Sequence, residues 1–224
     1  MTIPSVKARK PGNVSRRTAS KEVRRRQLID ATIDSIAKHG ISGTTMKTVS
    51  GLAGLSLGIV NFHFESKENL FEETLKFLAE EHRDAWRKRT RNAALEPAAQ
   101  LLAIVDAHFL PSICNRKKLA VWFAFYGEAR YRRRYRKIMS NIDSERWTTS
   151  HILCNRLATE GGYSDVDSEN VAKTLEGLFD GICLNILIYP DEFNRDSGKR
   201  QIRAYLATKF PAHFEMPDTI GKPA

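Results

Sequence analysis

An all-α fold is predicted for this chain by three observations. No stretch sustains the period-two alternation of a strand, apolar residues recur at helical spacing along most of the length, and the clearest breaks fall at Pro111, Gly161-Gly162 and Pro190. The expected helices are of two kinds: short and densely punctuated over 24–64, longer afterwards. This suggests a small N-terminal domain at 23–70 and a larger helical domain at 71–210, flanked by segments 1–22 and 211–224.

The first helix is expected from Arg24, because Leu28, Ile29, Thr32, Ile33, Ile36 and Ala37 share a face and Gly40 stands where a left-handed C-cap is wanted. Thr44 or Thr45 can cap a second helix buried through Met46, Val49 and Ala53, and Gly54 supplies the backbone of a tight turn. Ser56 caps a third helix that ends near His63 or Phe64. Ser66 caps a fourth, with Glu68 in its first turn and Leu70, Phe71, Leu75 and Leu78 as its buried face, reaching about residue 92. Further helices are expected over 97–109, 119–129, 134–159, 168–188 and 197–209.

At 224 residues and 42% hydrophobic composition, the chain can bury a sizeable core. Its net charge of +10 is uneven, since nine basic residues stand against Glu22 alone before residue 27. Segment 1–22 is expected to be a flexible basic arm, suited either to following phosphate or to remaining a solvated tail. Cys114, Cys154 and Cys183 are odd in number and lack CxxC spacing, which argues against a disulfide framework or zinc site and for a reducing cytoplasm. The N-terminus lacks an apolar signal core, and the most apolar later stretch, 178–188, is short and carries Asp180 and Asn185. Neither export nor membrane insertion is expected.

A capped helix of two to three turns, a glycine, another cap and an equally short helix make poor bundle architecture but suit a helix-turn-helix, whose second helix lies in a DNA major groove. At these residues the chain resembles the TetR family of one-component bacterial regulators. The resemblance rests on Thr44-Thr45, Ala53-Gly54-Leu55-Ser56, Gly58, His63-Phe64, Ser66-Lys67-Glu68 and Leu70. It departs at Asn61, where an aromatic is usual, and at Ser50-Gly51, where better helix formers are common. The resemblance implies a groove-facing surface of Ser56, Leu57, Gly58, Asn61, Phe62 and His63, flanked by Thr45 and Lys47, with Lys67 meeting phosphate. Asn61 is the best candidate base reader, because its amide can pair with adenine N6 and N7, and Leu57 can touch a thymine methyl. Phe64 belongs to the core.

A regulator needs a second input, and Trp122, Phe123, Phe125, Tyr126 and Glu128 form the densest local cluster of candidates. Aromatic faces beside a carboxylate hold quaternary ammonium cations, so Trp122, Phe125, Tyr126 and Glu128 could form a cage, with Phe123 pointing elsewhere. Aromatics at helical spacing are also ordinary core. The RRRQLIDAT, AVWFAF and LEGLFDGICLNIL segments resemble the BetI-type branch, which implies repression of choline-to-glycine-betaine genes and a response to choline. Arg130, Arg132, Arg133, Arg134 and Arg136 leave a different, anionic effector open.

Leu175, Leu178, Phe179, Ile182 and Ile186, with Gly177 and Gly181 between them, form one apolar stripe, and Ile202, Tyr205, Leu206 and Phe210 another. These predict a homodimer through an intermolecular four-helix bundle, and two-fold symmetry implies a palindromic operator. The same stripe could complete the monomer's core. An all-α enzyme is the competing class, and an architectural DNA-binding protein a third. The sequence holds no GxSxG, no HExxH, no phosphate-cradling glycine loop and no metal-ligand spacing among its six histidines, so no catalytic residue, metal or cofactor is assigned.

Overall fold

The computed structural model describes residues 20–91, 95–130 and 132–218, in nine helices with no strand among them. Most of the basic arm, the expected end of the fourth helix at residue 92 and the tail beyond residue 218 lie outside these residues.

Helix α1 spans Lys21–Gly43 and kinks at Gly40, whose positive φ of 69° needs glycine but whose ψ of 177° is not the left-handed C-cap expected there; the helix is capped at Thr44 instead. Thr44 follows it, buried, its hydroxyl donating to the Gly40 carbonyl at 2.8 Å. Helix α2 (Met46–Ala53) starts at a reciprocal cap between Thr45 and Thr48 and ends at Gly54, with φ 63° and ψ 31°. Helix α3 (Leu57–Phe64) starts at Ser56, and α4 (Lys67–Thr90) at Ser66, whose side chain accepts from the Asn69 amide at 3.1 Å. The remainder are α5 (Pro97–His108), α6 (Arg116–Ala129), α7 (Arg133–Glu160), α8 (Ser168–Ile188) and α9 (Arg195–Lys209). Helix α6 begins three residues earlier than expected because Asn115 caps it, accepting from the Lys118 amide at 3.0 Å. Asn194 likewise starts α9 two residues early.

Two apolar cores result, and their boundary does not follow the expected division at residue 70. The first joins Leu28, Ile33 and Ile36 of α1, Val49 of α2, Val60 and Phe64 of α3 and Leu70 to Leu78 of α4 to Val121 and Phe125 of α6 and Tyr135 and Met139 of α7. The second holds Trp86 of α4, the inner faces of α5 and α7, and α8 and α9. Each fully buried Leu, Ile or Phe contributes about 1.5–3 kcal/mol of transfer free energy. Helix α4 thus enters both cores, and α6 packs on α1, where Lys117 pairs with Asp34 at 2.6 Å.

The stripe expected at the dimer contact is used inside the protomer. Leu175, Phe179, Ile182, Ile186, Ile202 and Leu206 are all buried, and Leu178 is half-buried against the same core. The reason is the packing of α8 against α6, α7 and α9, which consumes its most apolar side. Gly198 lets α9 close on α8, since a Cβ there would lie 2.6 Å from Ile182 and 3.0 Å from Phe109. The exposed side of α8 carries Gly177, Gly181, Leu184 and Ile188.

Candidate DNA-reading head and effector cavity

The head presents α3 outward on two short, firmly capped helices. Val60 and Phe64 face inward, so Leu57, Gly58, Asn61 and Phe62 stand exposed, Phe62 at 75%. Thr45 and Ser56 are exposed caps whose hydroxyl oxygens accept from the Thr48 and Ile59 amides at 3.1 and 3.4 Å, and Lys47 is exposed on α2. Arg25 holds the back of this surface: it pairs with Glu73, donates to the His63 carbonyl at 3.4 Å and lies 4.7 Å from the centre of the Phe64 ring. Gln27 donates to the Ala53 carbonyl at 2.6 Å. His63 is half-buried with Nδ1 enclosed and unpartnered, and burial, then Lys21 and Arg25, hold its pKa below the usual histidine value. Of the nine expected contact residues, Lys67 departs furthest. Its ammonium turns to the end of α1 and donates to the Ile41 carbonyl, because α4 starts beside that carbonyl and Phe71 offers its ring face.

The second site is a cavity among α4, α5, α6, α7 and α8, with about 590 Å³ of atom-free space including its mouth. Trp122, Phe123 and Tyr126 line one side, and Leu78, Glu81 and His82 of α4 another. Asp143 and Arg146 of α7 and Asp180 and Cys183 of α8 face them. Burial raises the Asp143 carboxyl to about 6, Arg146 opposing, and raises Asp180 as well. Tyr126 donates to Asp180 at 3.3 Å. Lys118 pairs with Glu81, and Arg146 makes a forked contact to Glu176. His82 and His108 are buried and kept neutral, desolvation taking the His82 pKa to about 3 and that of His108 well below its ordinary value.

Two expected cage residues are elsewhere. Phe125 is fully buried in the first core, edge-on to Phe71 and Tyr135, because one residue's step around α6 from Tyr126 turns it toward α1 and α4. Glu128 lies a half-turn beyond Tyr126, outside the cavity, and pairs with Arg132 at 3.0 Å. Phe123, expected to point away, lines the cavity with Tyr126, their ring centres 5.8 Å apart. Arg134 likewise pairs with Glu72 outside the cavity.

The comparisons with known proteins follow this two-part arrangement. Residues 28–74 match the model described as bacterial regulatory proteins of the tetR family, and residues 97–211 match the BetI-type transcriptional repressor, C-terminal. The chain belongs to the TetR family. Its TetR head is joined to a C-terminal domain of the BetI type. It is 32% identical over 189 residues to the HTH-type transcriptional regulator BetI of Paraburkholderia phymatum, covering 83% of this chain and 92% of that one. The BetI of Paraburkholderia xenovorans is 28% identical over 186 residues, covering 83% and 93%. Among solved structures, a transcriptional regulator of Pseudomonas aeruginosa PAO1 superposes with TM-score 0.76 at 26% identity over 87% of this chain and 94% of that one. A regulator of Saccharomonospora viridis, crystallised in complex with choline, shares the TetR fold at TM-score 0.74 and 18% identity, covering 83% and 96%.

Glu81, His82, His108, Asp143, Arg146 and Asp180 were not singled out as cavity residues from the sequence. Only Asp180 carried a signal, as a charge inside the apolar stretch of α8; the others come from three helices, α4, α5 and α7, and meet only in the folded chain. Among the described residues, no group of three or more His, Cys, Asp or Glu side chains could hold a metal ion, and no helix is long and apolar enough to cross a membrane.

Proposed function

We propose that this transcriptional regulator is a homodimeric repressor whose grip on a palindromic operator is released by a quaternary ammonium cation, choline being the first candidate. The observation that carries the reading is the cavity's composition: three aromatic rings beside the carboxyl groups of Asp143 and Asp180. Ring quadrupoles attract a cation that offers no hydrogen bonds, and a nearby carboxylate adds charge attraction in a partly desolvated space. Arg146 and Lys118 do not invite an anion, since each is already engaged by a carboxylate, Glu176 and Glu81 respectively. The choline in the Saccharomonospora viridis structure is consistent with this class of ligand.

The route to DNA runs through the walls. Helix α4 lines the cavity at Leu78, Glu81 and His82 and begins at the head with Lys67; α6 lines it at Trp122 and Tyr126 and packs on α1. A ligand that prefers a different spacing of α4 and α6 shifts the heads out of register with two half-sites about 34–36 Å apart, or a multiple of that. The exposed Gly177, Gly181, Leu184 and Ile188 of α8 suit the dimer contact, small residues allowing close approach between apolar neighbours.

The test is fluorescence anisotropy of labelled DNA from immediately upstream of the gene, titrated with protein at fixed salt, then with choline or glycine betaine. Release by choline and not by betaine supports the reading; specific binding indifferent to both discards the effector and keeps the regulator.

A further inference from the structure

At the cavity wall, hydrogen bonds form a chain with a single direction. The Arg146 guanidinium carries only donors and stays charged, so its Nη1 donates to Nδ1 of His82 at 3.4 Å. That leaves the His82 proton on Nε2, which donates to Nδ1 of His108 at 3.1 Å. His108 keeps its own proton on Nε2 and donates to Sγ of Cys183 at 3.3 Å. The Cys183 thiol is then free to donate to Sγ of Cys114, 3.9 Å away. Each donor polarises the next, and the last acceptor is a sulfur. Arg195 adds positive charge there, donating to the Cys114 carbonyl at 3.4 Å.

The two sulfurs come from distant parts of the chain. Cys114 ends the α5–α6 connection, one residue before the α6 cap, and Cys183 sits on α8. Both are among the residues that line the cavity, although little of either side chain is exposed. All three cysteines are buried in the second core, but Cys154 lies away from the cavity, and burial pushes its thiol up to about 12.

We propose that Cys114 and Cys183 form a modification site, a thiol pair that hydroperoxides convert into an intramolecular disulfide across the cavity wall. The Cys114 thiolate attacks the terminal oxygen of the peroxide: an S–O bond forms, the O–O bond breaks, and the departing alkoxide or hydroxide takes a proton from water. Two electrons pass from sulfur to the peroxide. The Cys183 sulfur then attacks the sulfenic sulfur, the S–S bond forms, and the hydroxyl leaves with the Cys183 proton as water. His108 Nε2–H steadies the negative charge on Cys183 as that proton departs. Closing the bond brings the sulfurs from 3.9 Å to about 2.05 Å. In line with these roles, the hydrogen bond from Cys183 lowers the Cys114 thiol pKa, and the same contact raises that of Cys183. The bond would pin the start of α6 to α8, and its formation does not depend on which effector the cavity takes.

The experiment is peptide mapping of the reduced full-length protein after hydrogen peroxide treatment and alkylation. The expected product is a Cys114–Cys183 cross-linked peptide about 2 Da lighter than its reduced parts, reversed by dithiothreitol, with Cys154 still alkylated. In Cys183→Ser the sulfenic acid should persist at Cys114 and be trapped by dimedone; in Cys114→Ser, oxidation at Cys183 should slow by about tenfold or more. Mapping of the unsubstituted protein stands even if a variant fails to fold. A cross-link to Cys154, a link only between two copies, or Cys114 oxidising no faster than Cys154 would overturn the proposal.

Discussion

The Lys67 ammonium donates to the Ile41 carbonyl at 3.2 Å while lying 5.1 Å from the centre of the Phe71 ring. It ties the first turn of α4 to the last turn of α1, so part of its charge is spent inside the protein. Lys67→Ala should therefore cost about 1 kcal/mol of stability in urea unfolding. The slope of log affinity against log salt should move by less than about one phosphate contact. A full unit of slope with unchanged stability would return Lys67 to the phosphate backbone.

Glu65 ends α3 at φ 61° and ψ −42°, a conformation that L-residues rarely adopt. Glu65→Gly should relieve this and raise stability by about 1 kcal/mol, read as a higher urea midpoint at constant m-value.

Asn61 and Phe62 are exposed on α3, Phe62 in edge contact with His63, their ring centres 5.2 Å apart. Asn61→Ala should leave the melting temperature alone and change preference at one operator base pair by about 1–3 kcal/mol, measured across a panel of single-substitution duplexes. Equal losses on operator and random DNA would mark Asn61 as a phosphate contact instead.

Phe125 and Trp122, three residues apart on α6, should separate cleanly. Phe125→Ala removes a fully buried ring and should cost about 3–5 kcal/mol, read by denaturant unfolding. Trp122→Ala opens the half-buried cavity wall and should blunt the choline response while operator affinity stays near wild type.

On the proposed function, choline affinity should fall as pH drops through about 6, where Asp143 takes up a proton in the free cavity. The sign follows from the raised pKa: below it the carboxyl is neutral and contributes no attraction, so affinity declines by up to about tenfold per pH unit. Asp143→Asn should flatten the profile in calorimetric titrations between pH 5 and 8.

The helices and the head were legible in sequence because they are local. Thr45, Ser56 and Ser66 cap through their own neighbours, and Gly40 and Gly54 turn the chain by backbone freedom alone. The cavity was legible only in part. Trp122 and Tyr126 could be found from their i, i+4 spacing, but the same rule misassigned Phe123 and Phe125, since which side of α6 meets α1 depends on long-range packing. His82, His108 and Arg146 meet across gaps of 26 and 64 residues that no local pattern announces. The α8 stripe was a correct reading of burial with the wrong neighbour, as periodicity does not say whether a buried face meets its own chain or a second copy.

Val121, Phe125, Tyr135 and Met139 complete the core beneath the reading head. A chimaera that grafts residues 20–66 of this chain onto another regulator would inherit a foreign seat for Leu28, Val49 and Phe64, and should melt early whatever its DNA-facing residues. Exchanging operator specificity between such proteins is thus better done by transplanting the exposed positions of α3 alone, leaving the seam between the two cores uncut.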